Sequence, residues 1–165
     1  MGSLALALAL VAAGCSKKGP SADEAGLDGG IGSSEFDTGS GVGAAGEYGE
    51  PEKVSELASV YFDYDSFEVR SDARATLKAN AGAIRNHDEW RSVVVEGHTD
   101  ERGSEEYNLA LGERRAHAAR QYLEDLGVPG ARMRVVSFGE TAPAVQGNDE
   151  SAWRWNRRVE FRVTR

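Results

Sequence analysis

The chain reads as an α/β fold, a two-layer β-α-β-α-β-β sandwich with helices on one face of a mixed sheet, and three observations predict it. Short β-branched and aromatic runs stand at Val60-Tyr61-Phe62, Val93-Val94-Val95 and Met133-Arg134-Val135-Val136-Ser137-Phe138, the composition of strands. The two segments between these runs carry apolar residues at helical spacing. Near the C-terminus Val159, Phe161 and Val163 alternate with Arg158, Glu160 and Arg162, the period of two expected of a half-buried strand. Strands alternating with helices of this kind bury their apolar faces by layering helices on a sheet.

Each element follows in order. The first strand covers 60–62, and Asp63 to Asp65 leave the sheet. Ser71 suits an N-cap, and Ala73, Leu77, Ala81 and Ile84 place one stripe of a first helix on the sheet as far as Asn86. Val93-Val94-Val95 is apolar without a break and predicts a second strand buried on both faces or nearly so. A second helix starts in the 104–108 region and stops at Gly127, with Pro129 just beyond. Leu109, Ala116, Ala119, Leu123 and Leu126 supply its core face. Residues 133–138 form the third strand and 158–163 the fourth.

The 165 residues divide into a domain and a long N-terminal extension. Leu4 to Val11 is an unbroken run of Leu, Ala and Val, too short for a bilayer-spanning helix of about 20 residues but suited to the apolar core of a signal peptide. Residues 1–14 are therefore expected to be removed. The run ends in Val11-Ala12-Ala13-Gly14-Cys15-Ser16, which resembles a bacterial lipobox, with Cys15 as the lipidated residue; ordinary secretion with a free thiol is the alternative. Ala12 stands where such motifs usually have leucine, and no Lys or Arg precedes the run. Ser16 after the cysteine fits delivery to the outer membrane.

Residues 15–51 follow as a tether. From Ser16 to Pro51 there are ten glycines among 36 residues and few large apolar side chains, too little apolar surface to offset the entropy of ordering. A coil of that length has an r.m.s. span of about 30 to 36 Å. Residues 52–165 form the domain.

Composition removes several function classes. A formal charge of −8 and a pI near 4.9 do not supply the basic field that a general nucleic-acid binder needs. Gly41-Val42-Gly43-Ala44-Ala45-Gly46 has the G-x-G-x-x-G spacing of dinucleotide sites, but neither a strand before it nor a helix after it is predicted. One cysteine allows no intrachain disulfide. His98 lies beside Asp100 and Glu101, yet no second ligand cluster occurs at a metal-binding spacing, and His98 reads as a packing residue. Ser104 lacks a nucleophile-elbow context. No cofactor, metal or catalytic group is expected.

The most informative stretch is Val94-Val95-Glu96-Gly97-His98-Thr99-Asp100-Glu101-Arg102-Gly103, followed by Asn108-Leu109-Ala110-Leu111-Gly112-Glu113-Arg114-Arg115-Ala116. It sets an acid at a strand exit and an arginine two turns into the next helix, a pair able to hold a zwitterion. With Val60-Tyr61-Phe62-Asp63-Tyr64-Asp65 before it and Asn156-Arg157-Arg158-Val159-Glu160-Phe161 after it, the order resembles the OmpA-like peptidoglycan-binding domain family, and within it the peptidoglycan-associated lipoproteins. The resemblance spans 60–165.

That resemblance implies a non-catalytic grip on the side-chain end of meso-diaminopimelate in peptidoglycan, which bears an ammonium and a carboxylate. Asp100 matches the position that accepts the ammonium and Arg115 the one that forks onto the carboxylate. Arg suits that task because its planar paired donors match a carboxylate. Tyr64 and Asp65 match a front loop lining the site, Leu111 a wall residue, and Thr99 is expected to fix the loop through its hydroxyl. Asn108 lies two helical turns before Arg115 and can face the same pocket. Gly97 and Gly103 are expected to allow tight backbone near the acid. Arg158 is a weaker candidate, and Arg157 is expected to lock the last strand through salt bridges. Trp153 and Trp155 suit packing or partner contacts. The implied partners are peptidoglycan, a TolB-like periplasmic protein and the outer membrane, within a system supporting envelope integrity and division.

From spacing alone an Asp–Arg pair is more often a structural ion pair than a ligand clamp. A protein-interaction module of the same fold, or a hydrolase using Asp65 and Asp100 as its two carboxylates, also stays open at this point.

Overall fold

A computed structural model describes residues 49–165; the signal-peptide, Cys15 and most of the tether expectations lie outside the described residues. The elements are β1 (Val60–Tyr61), α1 (Ser71–Asn86), β2 (Ser92–His98), α2 (Glu105–Asp125), β3 (Met133–Gly139), α3 (Glu150–Asn156) and β4 (Arg158–Thr164), with a 3-10 turn at Gly130–Arg132. The strands form one sheet in the order β1-β4-β2-β3. β2 runs parallel to β3, and β4 is antiparallel to both β1 and β2, so the sheet is mixed.

The α/β sandwich of the sequence reading is therefore present, with one addition. α3, between the third and fourth strands, was not anticipated. Its seven residues are mostly polar or aromatic, and its clearest signal is Asp149, whose side chain accepts from the Ser151 N–H as an N-cap.

The core lies where α1 and α2 meet the sheet. Val93 and Val95 of β2 and Val159, Phe161 and Val163 of β4 pack with Leu77, Ala81 and Ile84 of α1 and with Ala116, Ala119 and Leu123 of α2. Each of the buried Val, Leu, Ile and Phe side chains contributes about 1.5–3 kcal/mol relative to exposure. The Asn80 side chain binds both the N–H and the carbonyl of Ala58, fastening the chain before β1 to α1. α2 ends in a Schellman arrangement: Gly127, at φ 87°, donates to Glu124, and Val128 donates to Leu123.

Three local expectations change. Arg70, not Ser71, occupies the N-cap of α1, and its own side chain makes no capping bond. Leu109 is 50% exposed rather than part of the core; the buried stripe of α2 is Asn108, Leu111, Gly112, Arg115, Ala116, Ala119 and Leu123, and Leu109 lies off it. β4 is not half-buried, because Arg158 and Glu160 on its polar face are also buried. Arg158 donates to Glu160 at 2.6 Å and Arg162 to Glu96 at 2.8 Å, and pairing of this kind is what lets charged side chains leave water.

Candidate functional site

The site forms where β2 ends. Thr99 donates its backbone N–H to Gly139, which holds the start of the connection to α2 beside the end of β3. Asp100, Arg102 and Gly103 follow, Gly103 at φ 119°, a conformation that favours glycine. Ser104 then caps α2 by accepting from the Tyr107 N–H. Asn108, Leu111 and Arg115, spaced three and four residues apart, line one side of the helix. The loop after β1 closes the front with Tyr64 and Asp65; Asp65 adopts φ 51°, which Asp tolerates better than most residues.

These segments enclose a cavity of about 130 Å³ lined by Tyr64, Asp65, Thr99, Asp100, Arg102, Gly103, Tyr107, Asn108, Leu111 and Arg115. Seven of the eight residues singled out from the sequence thus meet around one space. Arg158 does not: it belongs to the opposite face of the sheet, where it lines a separate hollow with Glu96, His98 and Phe138. Alternation along β4 causes this, since Val159 beside it faces the helices. Arg102 and Tyr107 line the cavity and were not singled out; the Tyr107 hydroxyl donates to Asp65. The i, i+4 spacing of Tyr107 with Leu111 was the available signal.

Arg115 is fully buried. Its Nε donates to the Ser66 carbonyl at 2.8 Å, Nη1 to His98 at 2.9 Å and Nη2 to Asp63 at 3.1 Å. One side chain of α2 thereby ties the β1 loop to the exit of β2. Burial pushes its guanidinium down to about 10, still protonated at neutral pH. The three bonds take one N–H from each nitrogen and leave one on each Nη.

Asp100 is 4% exposed. Arg102 grips it through Nε at 3.1 Å and Nη2 at 2.7 Å, and donates its backbone N–H at 3.2 Å. Arg157 adds a bond at 3.3 Å. Burial alone would raise the Asp100 carboxyl, but the Arg102 and Arg157 bonds outweigh it and hold it below the usual carboxylate range. Arg157 also donates to the Phe62 carbonyl and to Glu150, so it braces the start of β4 against β1 and α3. The Arg102 guanidinium lies over the rings of both Tyr64 and Trp153, 3.9 Å from each centroid.

Two expectations about supporting residues change. The Thr99 hydroxyl is buried without a hydrogen-bond partner among the described residues; the loop is fixed by the Thr99 backbone instead. Gly97 serves a helix contact rather than the acid, since a Cβ there would lie 1.9 Å from the Gly112 carbonyl oxygen. His98 stacks on Phe138, ring centroids 5.3 Å apart, and burial, with Arg158 next in effect, lowers its imidazole to about 4.

The comparisons agree with this architecture. The OmpA family model matches residues 61–157. The peptidoglycan-associated lipoprotein of Pseudomonas aeruginosa is 41% identical over 165 residues, covering 97% of this chain and 94% of that protein. That of Rhizobium meliloti is 42% identical, covering 94% and 83%. Among solved structures, the peptidoglycan-associated lipoprotein from Burkholderia pseudomallei superposes with a TM-score of 0.60 at 45% identity, covering 65% of this chain and 89% of that one. The C-terminal domain of Helicobacter pylori MotB, at 22% identity and a TM-score of 0.59 over 64% of this chain and 82% of its own, shares the fold. With the family model matching more than half of the chain, and relatives of one name at 41% and 42% identity aligned over at least 94% of it, the chain belongs to the OmpA family, among the peptidoglycan-associated lipoproteins.

Proposed function

We propose that the domain binds peptidoglycan non-covalently, taking the zwitterionic side-chain end of meso-diaminopimelate into the cavity at the end of β2. The observation that carries this reading is the placement of an ionised, buried carboxylate, Asp100, and a buried guanidinium, Arg115, on the walls of one small cavity. A ligand with ammonium and carboxylate on one carbon needs both signs a few ångströms apart. Asp100 receives the ammonium, the two remaining Nη hydrogens of Arg115 receive the carboxylate, and the Thr99 hydroxyl supplies a further polar contact. Tyr64, Asp65, Asn108 and Leu111 form the surrounding walls.

In the same proposal Cys15 carries the lipid that anchors the chain in the outer membrane, the tether spans the gap to the wall, and a TolB-like periplasmic protein is the protein partner. Linking two anchorages in this way raises the effective concentration of the second. The reading has no catalytic step: the cavity needs only to bind.

Titration calorimetry with diaminopimelate-containing and lysine-containing muropeptides tests it. Saturable binding of the first and none of the second is expected, because lysine lacks the side-chain carboxylate. Equal binding of both overturns the mechanism.

A further inference from the structure

Building on that ligand assignment, we propose that Arg102 is an internal substitute for the ligand's ammonium group, which the ligand must displace from Asp100 in order to bind. Each oxygen of the Asp100 carboxylate already accepts two hydrogen bonds: Oδ1 from the Arg102 backbone N–H and Nε, Oδ2 from Arg102 Nη2 and Arg157 Nη1. A carboxylate offers about four such positions in all, so no acceptor site stands open to an incoming ammonium.

The four donors differ in freedom. The backbone N–H is fixed by the loop. The Arg157 side chain is 7% exposed and is also held by the Phe62 carbonyl and Glu150. The Arg102 side chain is 30% exposed, and its other contacts among the described residues are two aromatic faces and Glu150 at 3.9 Å. It is the donor that can leave. Its departure vacates one position on each Asp100 oxygen beside the Tyr64 ring, whose face attracts an arriving cation as it attracted the departing one. Binding is then an exchange of cations on one carboxylate, and the measured affinity is the intrinsic one reduced by the fraction of molecules in which Arg102 has already left.

The geometry makes this separable from a structural role. Removing the guanidinium leaves Asp100 bonded to Arg157 and to the backbone of residue 102, so the acid is not left buried and bare. The test titrates the full-length chain, in neutral detergent, with a diaminopimelate-containing muropeptide by calorimetry, for the parent, Arg102→Ala and Arg102→Lys. The Arg102 Nε–H resonance is followed in parallel by NMR. The expected result is that Arg102→Ala binds about 3- to 10-fold more tightly than the parent, with Arg102→Lys between them, and that the Nε–H signal, protected in the free parent, is lost to solvent exchange at saturation. If the parent binds while Arg102→Ala binds equally or more weakly, or the Nε–H stays protected at saturation, Arg102 does not compete with the ligand for Asp100 and the exchange is overturned with the ligand assignment intact. If neither folded protein binds, both are overturned.

Discussion

Gly97 of β2 and Gly112 of α2 meet backbone to backbone: a Cβ on Gly97 would lie 1.9 Å from the Gly112 carbonyl oxygen, and one on Gly112 would lie 2.4 Å from the Ser137 hydroxyl. The contact seats α2 at the height where Asn108, Leu111 and Arg115 reach the cavity. Neither neighbour is a flexible side-chain end on the Gly97 side, so the helix itself must move to admit a methyl group. Gly97→Ala is expected to cost about 3 kcal/mol or more, read as a fall of roughly 10 °C or more in the thermal midpoint. Gly82→Ala is the matched opposite, since beyond its own helix backbone nothing among the described residues lies within 4 Å of its added Cβ. There the gain in helix propensity is expected to stabilise by about 0.5–1 kcal/mol. A Gly97→Ala protein as stable as the parent contradicts the close packing.

Arg115 is a framework residue as well as a candidate ligand contact. Its three bonds run to carbonyls of Asp63, Ser66 and His98, positions a lysine ammonium cannot reach together, because it lacks the planar fork. Arg115→Lys keeps the charge and loses that geometry, leaving carbonyls without partners, and is expected to lower stability by about 2–4 kcal/mol. Faster amide exchange across residues 63–66 should accompany it in hydrogen-exchange measurements. Unchanged exchange and stability would reduce the three bonds to incidental contacts. Loss of muropeptide binding in any Arg115 variant is therefore interpretable only beside its stability curve.

The gross fold was legible because strand and helix periods are local properties: Val159, Phe161 and Val163 face the core whatever else the chain does, and Gly127 ends α2 because it alone adopts φ 87° there easily. What was not legible depended on partners distant in sequence. The apolar side chain of Leu109 suggests a core position, but the space beside the sheet goes to Asn108 and Arg115, whose side chains donate to Glu140 and to carbonyls of other segments. Arg158, a weaker candidate for the site by its neighbourhood in the chain, lies on the other face of the sheet because side chains alternate along β4. The role of Arg102 is not legible in the sequence because it arises from Tyr64 and Trp153, 38 and 51 positions away, whose rings its guanidinium covers.

The phasing of α2 is itself measurable. Leu109→Glu places a charge where half the side chain already meets solvent, and urea unfolding is expected to move by no more than about 0.5 kcal/mol. Leu123→Ala, at a fully buried position on the true stripe, is expected to cost about 2–5 kcal/mol. The reverse ranking would restore Leu109 to the core.

His98 gives the fold a pH dependence of definite sign. The ring stacks on Phe138 on the polar face of the sheet, with Arg158, Glu160, Arg162 and Glu96 as the charged groups facing it. Burial, reinforced by Arg158, lowers it from 6.5 to about 4. Between those values the unfolded chain takes up a proton that the folded chain refuses, so the contribution is complete above pH 6.5 and is lost as the pH falls toward 4. The full loss amounts to about 3 kcal/mol. Glu96 acts in the opposite sense, because burial raises its carboxyl above the ordinary value and its contribution fades as the pH rises. The His98 effect must therefore be isolated by difference. Urea unfolding at pH 7.5 and pH 4.5 is expected to show the parent losing about 2 to 3 kcal/mol more than His98→Gln, whose side chain does not titrate. Parallel losses in the two proteins would mean that His98 accepts its proton in the folded state as readily as in the unfolded chain.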